Sequence, residues 1–136
     1  MRGAVWRVSV VFLLLCLALP VAGQLQEQPD VGVVGDPVAG RALAHKRCVA
    51  CHDLTRAATL KLGPPLWQVV GRPVGSVSGF RYSADVAGQA WQWDERGLDQ
   101  FLLNPKSMFP GTRMVFEGLA DARMRLDLIA FLHRLR

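Results

Sequence analysis

Cysteine is scarce in this chain. Three occur in 136 residues, and two of them, Cys48 and Cys51, stand three positions apart. The third, Cys16, lies in an apolar run at the N-terminus. With Cys16 set aside, only the closely spaced Cys48 and Cys51 remain, which is no disulfide framework, although an exported protein could form one. Histidine is equally sparse, at three residues. A structural zinc site needs about four N or S donors, and beyond Cys48, Cys51 and His52 the chain offers only His45 and His133. No alternating strand pattern surrounds the cysteine pair, so the βαβ setting of a thioredoxin-like dithiol is missing. Internal repeats and low-complexity tracts are also missing. The 16 Lys+Arg and 11 Asp+Glu give a net charge of +5, but they are scattered. That distribution lacks the basic patch of a nucleic-acid binder.

The chain does carry Cys48-Val49-Ala50-Cys51-His52. Cys-x-x-Cys-His is the attachment signature of a c-type haem. The spacing has a physical reason. Each thiol can add to one vinyl group on the same edge of the porphyrin. The histidine follows directly, so its imidazole can reach the iron from the proximal face.

The first residues read as a targeting segment. Arg2 and Arg7 make a positive start, Val8 to Leu19 is apolar except for Ser9, and Pro20-Val21-Ala22-Gly23 supplies a turn and small residues. This predicts a secretory signal over 1–23, cut after Ala22 or Gly23. The alternative is a retained anchor, but the run is short of the roughly 20 apolar residues a span needs. Leu15 stands before Cys16, where a lipoprotein site would have a small residue. Loss of Arg2 and Arg7 lowers the formal charge from +5 to +3. Residues 24–35 are polar, Gly-containing and aperiodic, and are expected to form a flexible extension. One domain, 36–136, follows.

Within that domain Asp36-Pro37 predicts a helix start, with Asp as N-cap and Pro at the first position. The helix should run to about Lys46 or Cys48, and Gly40 inside it suits a close helix crossing. Thr55 to Leu62 reads as loop, and Gly63-Pro64-Pro65 as a rigid, extended turn. A short apolar element, Leu66 to Val70, and two turn-rich stretches around Gly71-Arg72 and Gly79 to Ser83 follow. Asp94 should cap a helix from Glu95 to Leu103, with Leu98, Phe101 and Leu102 inward. Asn104-Pro105 stops it, and Lys106 to Phe116 reads as loop. Asp121 opens a last helix to the C-terminus, striped by Met124, Leu128, Phe131 and Leu135. The expected fold is all-α, about three to five helices with long loops. Such loops are uncommon in a small domain unless something large fills the middle. A haem supplies the core that about 110 residues would struggle to build.

Taken in order, these motifs resemble the small soluble class I cytochromes c. The resemblance covers Asp36 to the C-terminus. It rests on the haem motif, Gly63-Pro64-Pro65-Leu66, Gly71-Arg72, Gly79-Phe80-Arg81-Tyr82-Ser83, Asn104-Pro105-Lys106, Pro110-Gly111-Thr112-Arg113-Met114 and Asp127-Leu128-Ile129-Ala130-Phe131-Leu132. It implies the cytochrome c fold, wrapped round one haem c attached through Cys48 and Cys51. His52 would be the proximal iron ligand and Met114 the distal one, with Met108 and Met124 as the other methionines of the domain. The Pro64 neighbourhood would accept a hydrogen bond from His52. Arg72, Tyr82, Trp93 and Thr112 would hold the buried propionates, with Trp91 as a rival for Trp93. Gly40 and Phe131 would mark the crossing of the first and last helices. Phe101, Val86 and Ala44 depart from the family pattern. Ala44 implies a looser crossing.

The implied function is a soluble one-electron carrier, not an enzyme. It would be periplasmic and monomeric, and would meet the membrane only through its partners. Those partners would be redox proteins with acidic docking surfaces: a cytochrome bc1-type complex as donor, an oxidase or reductase as acceptor. Arg47, Lys61, Lys106 and Arg113 would form a thinned basic ring, since Thr59, Ser107 and Asp121 lack the charge. Two other readings remain: a dedicated haem subunit of a larger periplasmic oxidoreductase, and a catalytic or gas-binding haem protein with an open iron position.

Overall fold

The computed structural model describes residues 34–136. The signal segment 1–23 and all but Val34 and Gly35 of the 24–35 extension lie outside the described residues. Five helices follow one another: α1 Pro37–Arg47, α2 Ala84–Ala87, α3 Glu95–Leu103, α4 Pro105–Met108 and α5 Ala122–Leu132. The sole β pairing among the described residues is an isolated antiparallel bridge between Pro73 and Gln92. The fold is therefore all-α with long loops.

Capping side chains set most helix ends. The Asp36 carboxylate accepts the Val38 N–H at 2.8 Å, and Pro37 takes the first position, where its missing N–H costs nothing. Asp94 accepts from the Gly97 N–H at 2.6 Å, and Asp121 from the N–H groups of Arg123 and Met124. α4 lies in a stretch expected to be loop. Asn104-Pro105 does stop α3, but the same pair starts the next helix. The Asn104 side chain accepts the Ser107 N–H at 3.0 Å, and Pro105 sits at the N-terminal position. α5 ends at Leu132 rather than at the C-terminus, with the His133 N–H closing on Ile129 and Phe131 carbonyls.

α1 and α5 cross closely, and glycine makes the crossing possible. A Cβ on Gly40 would overlap the Asp127 carbonyl and approach the Phe131 Cβ to 2.9 Å. Gly35 meets the Leu126 carbonyl in the same way and is buried, so the chain is already packed before the helix starts. The backbone N–H of Asp36 donates to the Asp127 carboxylate at 2.6 Å, and Arg123 pairs with that carboxylate at 3.0 Å. Ala44 is wholly enclosed, at 0 % exposure. Leu43, Leu128, Ile129, Phe131 and Leu132 complete this part of the core.

α3 joins through Leu98 and Leu102, and through a buried cation. Arg125 is 8 % exposed. Its Nε pairs with Asp99 at 2.7 Å, and its Nη1 donates to the Leu119 and Ala120 carbonyls at 2.8 and 2.9 Å. A buried charge is tolerable only when paired and hydrogen-bonded in this way. Arg125 thus clamps α5 to α3 and to the segment between them. Sequence reading missed both residues. The available signal was a charge at the position three before Leu128 and four before Ile129, on a face that is otherwise apolar.

Candidate haem site

α1 delivers the cysteine motif. Cys48 caps the helix, its N–H bonding the Ala44 carbonyl at 2.8 Å, and the chain then folds tightly on itself. The N–H groups of Cys51 and His52 both reach the Cys48 carbonyl, at 3.0 and 2.9 Å. Both thiols and the imidazole are thus carried by a single tight turn. Both cysteines are free, Cys48 half-buried and Cys51 exposed. Burial, and then the neighbouring Cys51, push the Cys48 thiol up to about 11.

His52 is held from two directions. Its Nδ1 lies 2.6 Å from the Pro64 carbonyl. A carbonyl can only accept, so Nδ1 carries the proton and Nε2 keeps its lone pair. Gly63 lies against the ring: a Cβ there would fall 2.6 Å from Nδ1 and 2.8 Å from Nε2. Burial pushes the imidazole pKa down, the Pro64 bond opposes this, and the Lys61 and Arg72 charges add to the lowering. The ring is therefore neutral at pH 7, as an iron ligand must be. Second-sphere carbonyls commonly orient a ligating imidazole in this way.

The residue after the motif is also anchored. One Asp53 oxygen accepts from the N–H and the hydroxyl of Thr55, both at 2.9 Å, and the other accepts the Thr59 N–H at 2.8 Å. These donors hold the carboxyl down at about 2. The sequence signal was present, since Asp followed two residues later by Thr favours such a turn. The folded state prefers the ionised form, so this contribution is complete above the ordinary carboxylate value of about 4. It should fade as pH falls from about 4 to 2. The stability difference between the parent and Asp53→Asn should therefore shrink across that window in denaturant titrations. A difference that does not change with pH would contradict this.

The four residues implied as propionate contacts come from four separate stretches of the chain. Arg72 is half-buried and donates to the carbonyls of Trp67 at 3.1 Å and Pro65 at 2.7 Å. Burial lowers its pKa and Tyr82 raises it. Burial raises that of Tyr82, whose ring meets Phe80 edge-on at 4.8 Å. Trp93 pairs with Arg72 through the backbone, its N–H reaching the Arg72 carbonyl at 3.0 Å. Its ring packs edge-on against Phe101 at 5.1 Å and Phe109 at 6.3 Å. Trp91 spends its indole N–H on Gln89 at 2.6 Å, whereas the Trp93 indole N–H has no acceptor among the described residues. Thr112 lies in the 109–116 segment. Its hydroxyl accepts the Met114 N–H at 3.3 Å, and its own N–H closes a turn on Phe109 at 3.0 Å. Met114 is half-buried just beyond that turn. Met108 lies in α4 and Met124 in α5.

These donors fit a covalently attached haem. Two free thiols and one neutral, pre-aimed imidazole share a turn, and no cluster of three or more His, Cys, Asp or Glu suited to a metal ion occurs among the described residues. The fold and site thus define an all-α protein built round a c-type haem.

The relatives agree. The chain is 45% identical over 98 residues to cytochrome c2 of Rhodomicrobium vannielii, covering 72% of this chain and 78% of that protein. Against cytochrome c of Ginkgo biloba the identity is 41% over 98 residues, covering 72% and 87%. Against cytochrome c 2.1 of Caenorhabditis elegans it is 45%, with 72% and 87% covered. No protein-family profile matches the chain. The chain belongs to the class I c-type cytochromes. It carries haem c attached through Cys48 and Cys51, and it transfers electrons rather than acting as an enzyme.

Proposed function

We propose that the chain is exported through its 1–23 segment, which is then removed, and that the 36–136 domain works as a diffusible periplasmic carrier of single electrons. Among the described residues no helix is long and apolar enough to cross a membrane. The haem, when bound, supplies one iron that gains or loses one electron. His52 and Met114 would hold that iron, and Arg72, Tyr82, Trp93 and Thr112 would hold the propionates.

The observation that carries this reading is the immobilised imidazole. His52 has the Pro64 carbonyl on Nδ1 and Gly63 against its face. A ligand fixed by the fold moves little when the charge of its metal changes, and fast transfer needs that rigidity. A thioether as second ligand raises the potential. Apolar surroundings act in the same direction, because they disfavour the form with the extra positive charge.

Partners would be redox proteins with acidic docking faces. The basic ring has two kinds of member. Lys61 Nζ donates to the Val49 carbonyl at 2.8 Å, and an Arg113 Nη donates to the Arg81 carbonyl. These two charges are held against the fold. Arg47 and Lys106 are exposed on α1 and α4. Steering by such a ring is screened over a Debye length of about 10 Å at 0.1 M salt. The second-order rate of electron transfer with an acidic redox protein should therefore fall as salt rises. Lys106→Glu should slow it about threefold to tenfold at low salt. Arg136→Glu, at the far end of the chain, should do less. A rate that is flat in salt and indifferent to Lys106→Glu would mean that docking is mainly apolar.

A further inference from the structure

Two separate stretches of loop carry part of the proposed haem site. One stretch, 79–88, carries Tyr82 and α2. The other, 109–116, carries Thr112 and Met114. Among the described residues, two hydrogen bonds cross between them, and they are reciprocal. Asp85 Oδ2 accepts the Gly111 N–H at 2.7 Å. In the other direction the Arg113 guanidinium donates to the Arg81 carbonyl.

We propose that Asp85 is a positioning residue for Met114: its bond to the Gly111 N–H holds the 109–116 loop closed and the thioether in place on the iron. This rests on the reading of Met114 as the sixth ligand.

Several features support it. The carboxylate packs directly on the turn, since a Cβ on Gly111 would lie 3.0 Å from Oδ1 and 3.2 Å from Oδ2. The Asp85 backbone is itself braced. Gln89 Nε2 donates to the Asp85 carbonyl at 2.8 Å, and Gln89 Oε1 accepts the Trp91 indole N–H at 2.6 Å. The Trp91 ring rests on Gly97 at the start of α3, where a Cβ would come within 2.7 Å of it. A continuous strut therefore runs from α3 through Trp91, Gln89 and Asp85 to Gly111. Only two residues, Thr112 and Arg113, separate Gly111 from Met114. The turn between them is closed by the Thr112 N–H on Phe109 and the Met114 N–H on Thr112. A shift at Gly111 is thus passed to Met114. The Ser83 hydroxyl and the Gly111 N–H lower the Asp85 carboxyl pKa, so the acceptor is charged at neutral pH and the bond is of the stronger, charge-assisted kind.

A ligand added from solution takes the iron position only when Met114 has left it. Its apparent affinity is its intrinsic affinity scaled by the fraction of molecules with the loop open. The Asp85–Gly111 bond exists only in the closed loop, so its removal raises that fraction.

The test uses the ferric holoprotein and imidazole as the probe. Displacement of Met114 is followed by loss of the weak far-red charge-transfer band of methionine-ligated ferric haem. Asp85→Ala should bind imidazole about tenfold more tightly, as expected for one charge-assisted hydrogen bond lost from the closed state alone. Asp85→Asn keeps an acceptor oxygen for Gly111 and should stay within about threefold of the parent. Unchanged imidazole affinity in Asp85→Ala, with or without a lower melting temperature, would overturn the proposal. So would equal tightening in Asp85→Ala and Asp85→Asn, which would make bulk charge, not the bond to Gly111, the cause. A parent protein without the far-red band would instead remove Met114 as ligand, and this proposal with it.

Discussion

Met114→Ala is expected to abolish the far-red band of the ferric protein and open one side of the iron to added imidazole or cyanide. The midpoint potential should fall by something on the order of 0.2 V, because the thioether is the ligand that favours the reduced form. Met108→Ala should keep both the band and the potential. The two methionines sit in different local structure. Met108 is the last residue of α4, committed to the Asn104-capped turn, whereas Met114 lies outside any helix, just after the Phe109–Thr112 turn; both are half-buried. Met124 is carried by α5 against the core. A band that survives Met114→Ala and disappears in Met108→Ala would move the ligand to α4.

The second large effect concerns the helix crossing. Gly40→Val places a branched side chain where a single Cβ already overlaps the Asp127 carbonyl and crowds Phe131. Neither helix can retreat without giving up contacts in the Leu43, Leu128 and Phe131 cluster. The cost should be about 3 kcal/mol or more, at the upper end for overpacking. Gly71→Ala is the matched control. Gly71 sits at φ +80° with no atom within 4 Å of its would-be Cβ. Only backbone strain opposes that substitution, about 1–2 kcal/mol. Denaturant unfolding of the two holoproteins should separate them clearly. Equal costs would mean that α1 and α5 can part at this crossing without penalty.

Local chemistry was legible in the sequence where it acts over a few residues. Asp36-Pro37 and Asp94 announced the starts of α1 and α3, because a cap and the bond it makes lie within three positions of each other. The 109–116 segment was readable as loop from its Pro and Gly. α4 was not, because Asn104-Pro105 has two opposite effects. It denies α3 its next turn and pre-forms the first turn of another helix, and only the Ser107 N–H on the Asn104 side chain shows the second. Between the rival tryptophans, spacing to Met114 favoured Trp93 over Trp91. In the structure Gln89 takes the indole N–H of Trp91. Least visible were the long-range ties. Asp85 to Gly111 and Asp99 to Arg125 each span 26 residues. A lone acid in a loop or on a helix gives no hint of a partner that far away. The haem motif stood out for the opposite reason: its three functional side chains fall within five consecutive residues.

The central claim is a closed, covalently held haem that exchanges one electron with both axial ligands in place. A redox-titrated visible spectrum of the purified exported protein tests it most directly. The account predicts a single one-electron transition, low-spin spectra in both oxidation states, the far-red methionine band in the ferric state, and colour that stays with the chain after acid–acetone extraction. A high-spin spectrum in either state, or haem that leaves the chain on extraction, would contradict it.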